Sequence, residues 1–172
     1  MRIALFAEQF LPEKNGDGNA LCYLLEYFEA NGHESILVAP EGGPSNYAGS
    51  KIIGLQGFPV PWYPELRLSP PLISAREELF DFFPEVIHLV NPASLGIFGL
   101  WHGKEMRIPV VASYQADIQG CTIRWGMPYL KEALWEYYRW LYNQADLNLA
   151  PSKYTQAELL NQGFERVRVW SS

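Results

Sequence analysis

The 172-residue sequence has few cysteines, no excess of basic charge and no long apolar run. The two cysteines, Cys22 and Cys121, lie far apart and lack the paired spacing of a zinc site. They are read as ordinary thiols of a reducing compartment, with no disulfide framework and no metal. Thirteen Lys and Arg against nineteen Asp and Glu leave a net charge of −6. This balance excludes non-specific nucleic-acid binding, which needs clustered cations to displace counterions. No stretch approaches the ~18 apolar residues of a membrane span. The opening MRIALFAEQF does not read as a signal peptide, because Glu8 interrupts a short apolar run. From these absences a cytoplasmic location is expected. They also exclude two phosphate-binding fingerprints, since neither GxGxxG nor GxxxxGK[ST] occurs.

What remains is a globular composition, 48% hydrophobic and 19% charged, in a length that suits one domain with its own core. Short apolar runs alternate with helical periodicity. Strands are expected at Arg2–Ala7, Ser35–Ala39, Lys51–Leu55, Val86–Val90, Val110–Tyr114, Asp146–Leu149 and Val167–Trp170. A loop is expected over Glu8–Asn19, followed by a helix carrying Ala20, Leu21, Leu24, Leu25 and Phe28. Further helices are expected around Ser74–Phe83, Ala93–Met106, Tyr129–Asn143 and Ser152–Asn161, the last capped by Ser152. Gly96 and Gly99 suit close packing of the third. Five prolines between Gly57 and Pro71 argue against regular structure there. Apolar strands joined by helical crossovers predict an α/β fold. It is a doubly wound, mostly parallel, Rossmann-like sheet of seven strands, covered on both faces.

Ligands of such sheets sit beyond the carboxyl ends of the strands, near the point where strand order reverses. The residues to inspect therefore lie just after strands: Glu8 to Gly18, Pro40 to Gly43, Asn91-Pro92, Gln115 to Asp117 and Pro151-Ser152. The glycines Gly16 and Gly18 before a helix would let backbone approach a phosphate, or form a plain turn. Gln115 and Asp117 could hydrogen-bond a sugar hydroxyl, or be solvated. His88, alone in the apolar strand VIHLV, is read first as a satisfied core histidine. The aromatic series Trp125, Tyr129, Trp135, Tyr137, Tyr138, Trp140 and Tyr142 is read first as core packing, with a partner interface as the alternative.

Six segments occur in a specific order: MRIALFAEQFLPEKNG, GHESILVAPEGG, YPELRLSPP, FPEVIHLVNPASLG, IPVVASYQAD and NQADLNLAPSKYTQAELLNQGFERVRVW. Together they resemble the amino-terminal half of a retaining, family 4 glycosyltransferase of the GT-B type. The resemblance is to the glycolipid branch that holds sulfoquinovosyltransferases and bacterial mannosyltransferases, and it covers essentially the whole chain. It implies that residues 1–172 form the acceptor-side domain of a nucleotide-sugar-dependent hexosyltransferase. The donor domain is expected to be absent from this chain, so this half alone is expected to be inactive. The resemblance implies no cofactor and no obligatory metal, with the nucleotide sugar as co-substrate. It places Gly16 beside the donor diphosphate, and Glu8, Asn91, Asp117 and Ser152 along the acceptor cleft.

Gln115 stands where the family carries its active-site histidine, so it is the candidate catalytic position, although an amide cannot carry a proton. Asp17 adds a negative charge beside the expected diphosphate. The partners implied are a sugar or glycolipid acceptor, a missing donor domain or partner chain, and a second copy through exposed apolar surface. Asn15 to Ser50 contains no Lys or Arg, so charge does not support docking on an anionic membrane. Peripheral placement at the inner membrane face stays as an alternative to a purely cytoplasmic one. The competing functional reading is a non-catalytic sugar- or partner-binding module derived from this domain. A third is a stand-alone nucleotide-binding domain, which lacks the glycine fingerprint.

Overall fold

A computed structural model describes residues 1–8, 10, 16–60, 63–68, 74–115, 126 and 128–170. The main sheet holds seven parallel strands: β1 (Arg2–Ala7), β2 (Glu34–Pro40), β4 (Ser50–Leu55), β7 (Val86–Val90), β8 (Val110–Ser113), β9 (Leu147–Ala150) and β10 (Val167–Val169). The two-residue β3 (Asn46–Tyr47) joins antiparallel to β4 at one edge, which makes eight strands where seven are expected. The order is β10-β9-β8-β7-β1-β2-β4-β3. Strand order reverses between β1 and β7, the neighbours that share the register Leu5↔His88.

Two further corrections concern loops. The Pro-rich segment contains an antiparallel hairpin, β5 (Phe58–Val60) with β6 (Tyr63–Leu68). In a two-stranded ribbon each strand is an edge, so a proline's missing N–H need not break a ladder. A register shift at Pro59/Val60 marks the irregularity. The helix after β1, α1 (Gly16–Ala30), begins at Gly16 rather than after Asn19. The first four helical N–H groups need no intrahelical partner, so glycine costs least there.

The remaining helices among the described residues are α2 (Ser74–Phe82), α3 (Ser94–Met106), α4 (Lys131–Tyr142, after a 3₁₀ turn at Pro128–Leu130) and α5 (Lys153–Asn161). They cover the sheet unequally. One core gathers Phe6, Val38, Leu55, Leu89 and Ala112 of the strands against α2, α3, α4 and α5, through Leu79, Phe98, Trp135, Tyr142 and Leu159. The second core lies on the opposite face and gathers Ile3, Leu5, Leu37, Ala39 and Ile52 against α1, through Leu21, Cys22 and Leu25. Alternation along each strand produces this split, with Phe6 on one face and Leu5 on the other. Right-handed crossovers running in opposite directions from the reversal point would put helices on opposite faces.

Glycines set the contact of α3 with the sheet. A Cβ at Gly99 would stand 2.4 Å from Leu89 Cδ2, and one at Gly103 2.3 Å from Val110 Cγ2. Of the aromatic series, Trp135 and Tyr142 are buried in the core, Tyr137 and Tyr138 are half-buried, and Trp140 and Tyr129 are exposed. Trp125 lies outside the described residues, as does Cys121, while Cys22 is a buried free thiol. No helix among the described residues is long and apolar enough to cross a membrane.

Candidate functional site

Beyond α1, the face it covers continues over β7 to β10. There the strands present Val90, Ser113 and Leu149, with Trp170 just past β10. Between these residues and the outer flank of α1 lies a cavity of about 660 Å³. Ala20, Tyr23, Leu24, Tyr27 and Phe28 form its helical wall, one stripe at i, i+3, i+4, i+7 and i+8. Gln115 and Pro151 stand at the carboxyl ends of β8 and β9. No Lys, Arg, Asp or Glu occurs among the described lining residues.

The polar part of the cavity is His88 with Ser113. His88 is 7% exposed, and its Nε2 lies 3.1 Å from Ser113 Oγ. Burial lowers its pKa to about 4, so the imidazole is neutral at physiological pH and offers hydrogen bonds without charge. The Trp170 ring meets it edge-on, with centroids 5.8 Å apart. Ser113 links this cavity to the opposite face: its carbonyl accepts from the buried Tyr142 hydroxyl at 3.1 Å and from the Asn91 N–H at 3.0 Å. His88 is thus a satisfied strand histidine and a cavity residue at once.

The other expected site residues are placed elsewhere. Glu8 does not line this cavity. It is 5% exposed, and its carboxylate accepts four hydrogen bonds at the start of α3: from the Ala93 N–H (2.7 Å), the Ser94 hydroxyl (2.9 Å), the Leu95 N–H (2.6 Å) and the Gly96 N–H (3.4 Å). Burial raises its pKa, and those four bonds oppose the rise. Asn91 lies at the end of β7 with φ +47°, and its side-chain oxygen is buried without a partner. Ser152 is the cap of α5, accepting from the Thr155 N–H at 3.0 Å. Gly16 opens α1. Asp117 lies outside the described residues. The structure therefore brings Gln115, Ser113, His88 and Trp170 around one cavity, and holds Glu8 and Asn91 at the β1/β7 reversal point. Trp170, Tyr23 and Tyr27 are lining residues that sequence reasoning missed. The aromatic repeat on α1 is the one visible signal for Tyr23 and Tyr27, and Trp170 has none.

A doubly wound sheet with its cavity beside the carboxyl ends of the strands defines a Rossmann-like α/β domain. The chain belongs to Glycosyltransferase Family 4, whose family model matches residues 14–172. It is 34% identical over 177 residues to a GDP-mannose-dependent alpha-mannosyltransferase of Mycobacterium tuberculosis, covering 99% of this chain and 47% of that protein. It is 31% identical over 179 residues to a sulfoquinovosyl transferase of Arabidopsis thaliana, covering 99% of this chain and 34% of that protein. The chain thus spans half or less of the length of these relatives. Among solved structures, Anabaena HepE in complex with UDP and glucose matches with a TM-score of 0.66 at 14% identity, over 98% of this chain and 44% of that one. Sucrose-phosphate synthase of Thermosynechococcus elongatus matches with a TM-score of 0.62 at 16% identity, over 99% and 47%. These likenesses carry the fold.

Proposed function

We propose that this chain is the acceptor-side half of a nucleotide-sugar-dependent glycosyltransferase, which moves a hexosyl group with retention once a donor domain stands across the cleft. One observation carries the assignment of sides. The described residues that line the cavity beside Gln115 carry no Lys, Arg, Asp or Glu, with a neutral imidazole and a hydroxyl on its floor. A nucleotide diphosphate calls for cations or open helix N–H groups. A neutral, hydroxyl-bearing acceptor suits apolar walls with a few fixed polar groups. The acceptor is a sugar or a glycolipid, no metal is required, and the protein works in the cytoplasm or against its membrane face. Gln115 faces the transferred sugar as a hydrogen-bonding group, with Ser152 further along the cleft, and the family resemblance assigns Asp117 to the acceptor. Without differential binding of a donor, this half alone has little means to stabilise a transition state.

The test is a thermal-shift panel of simple acceptor glycosides, free GDP and UDP, and their sugar conjugates. Stabilisation by a glycoside, with none by the nucleotides, supports the acceptor side. A strong shift with a bare nucleotide overturns it. The second reading, a non-catalytic sugar- or partner-binding module, is favoured by the amide at position 115, which cannot transfer a proton. In a two-domain enzyme, Gln115→His separates the two: activity rises if the glutamine is a degraded catalytic position, and no change or a loss contradicts that idea.

A further inference from the structure

We propose that Glu8 is a positioning residue, an anion built into the chain, which seats the Asn91–Ser94 turn at the strand-reversal point and closes the α3 N-terminus to the anions of a ligand. The reversal point of a doubly wound sheet is where ligands bind, and a helix N-terminus there offers unsatisfied N–H groups and a positive dipole end. α3 begins at this point, directly after β7. Its first N–H groups do not face an open crevice. The Glu8 carboxylate, arriving from the end of β1, accepts from Ala93, Leu95 and, at longer range, Gly96, while its second oxygen takes the Ser94 hydroxyl. These are the contacts that a bound carboxylate or phosphate would make.

The neighbouring groups are arranged around that bond set. The Ala93 peptide is fixed from both sides: its N–H donates to Glu8, and its carbonyl accepts from the Tyr137 hydroxyl of α4 at 2.7 Å. The Asn91 N–H is fixed to the β8 carbonyl of Ser113. A Cβ at Gly96 would stand 2.3 Å from Pro92 Cβ, so only glycine lets the helix start this close beneath the turn. Three elements (β1, β8 and α4) thus converge on one short turn, and among the described residues in these contacts Glu8 alone carries a charge. Asn91, with its unpartnered side-chain oxygen, is carried by the turn that Glu8 seats. The inference concerns charge and geometry at the reversal point, and it stands whether or not the acceptor-side reading does. Its consequence is that any diphosphate on this half must be met away from α3.

The experiment compares melting of the wild-type chain, Glu8→Ala and Glu8→Gln in sodium chloride, sodium formate and inorganic phosphate at matched ionic strength near neutral pH. Glu8→Ala is expected to melt on the order of 5–10 °C lower, because buried N–H groups lose their acceptor. Formate, which fits the space of the lost carboxylate, should restore at least about half of that loss saturably, a response that a merely space-filling role would not give. The wild type should respond to formate and phosphate no more than to chloride. Glu8→Gln should fall less than Glu8→Ala and ignore formate, since the amide fills the space. A Glu8→Ala variant that melts with the wild type, or that formate and chloride treat alike, overturns the inference. So does saturable phosphate stabilisation of the wild type that perturbs the Ala93–Gly96 amides. If Glu8→Ala does not fold, amide NMR of the wild type and Glu8→Gln decides. The Ala93 and Leu95 amide protons should move together in one acid titration in the wild type and stay still in Glu8→Gln. Amides that ignore pH in both would refute the role.

Discussion

The two faces of the sheet share their strands and differ in almost everything else. On one face, four helices press Phe6, Leu89, Ala112 and Ala150 into a core that reaches from α2 to Phe164. On the other, α1 covers β1, β2 and β4, and the surface over β7 to β10 is left to a cavity walled by half-buried and exposed aromatics. The same alternation along each strand supplies both faces. The difference teaches where a domain of this class keeps stability and where it keeps an open surface. The closely packed face tolerates little change, and the face where α1 is the one helix among the described residues has exposed side chains on its cavity wall, such as Tyr23 and Tyr27.

The largest expected effect is a deletion on the closed face. Phe6 is almost fully buried, edge-on to Phe98 at 5.9 Å. Phe6→Ala should cost about 3–5 kcal/mol of unfolding free energy, measured by urea denaturation. A loss below about 1 kcal/mol would mean that this face is not the continuous core described above.

Next comes a comparison of one histidine from each face. His88 sits on the α1 face beside Ser113. His102 of α3 is buried on the closed face among Phe80, Phe98 and Trp101, and neither of its ring nitrogens has a partner. Burial lowers both pKa values, to about 4 for His88. The unfolded chain takes up a proton near pH 6.5 and the folded chain refuses it. No penalty therefore exists above about pH 7. Stability falls as pH drops through 6.5, and for His88 the loss is complete near pH 4, on the order of 3 kcal/mol. Urea midpoints across this window should show a shallower slope in His88→Asn than in the wild type. His102→Phe should flatten the slope in the same direction. Identical slopes in His88→Asn and wild type would show that His88 already takes up a proton in the folded state.

Smaller effects come from close contact and from a single bond. Gly103→Ala puts a methyl 2.3 Å from Val110 Cγ2 and should cost about 1–3 kcal/mol, because a buried β-branched neighbour has little room to move. Tyr142→Phe removes the buried bond to the Ser113 carbonyl and should cost about 0.5–1.5 kcal/mol. Because Ser113 also holds His88, an acceptor glycoside that stabilises the wild type should stabilise Tyr142→Phe less.

Much of the architecture was legible in the sequence because periodicity is local. Among the described residues, the seven parallel strands and five helices follow from apolar spacing and, for α5, from the capping signal of Ser152. The misses arose where partners are distant or where edge chemistry relaxes a rule. Proline argued against the β5–β6 hairpin, and a two-stranded ribbon tolerates proline. β3 is two residues long and carries no period. At the site, position after a strand pointed to Gln115, which lines the cavity, and equally to Glu8, which does not. That distinction rests on hydrogen bonds to residues 85 to 88 positions away. Trp170 and His88 are 82 residues apart and meet only through strand order.

The smallest stability effect falls on the α1 wall, and it is the most informative about function. Tyr23 and Tyr27 are 68% and 60% exposed and line the cavity, although the core on that face is built by Leu21, Cys22 and Leu25. Side chains this exposed add little to folding, so Tyr23→Ser and Tyr27→Ser should each change stability by no more than about 0.5 kcal/mol. If the cavity takes the acceptor, the same variants should lose most of the thermal shift given by an acceptor glycoside, since the aromatic wall supplies the apolar contact area. A variant that melts like the wild type yet ignores the glycoside would place the ligand on this open face. Variants that keep the full shift would move it off the α1 wall, towards Asn91 and the reversal point. A loss of stability comparable to Phe6→Ala would instead show that α1 holds this face as tightly as four helices hold the other, and the contrast between the faces would be gone.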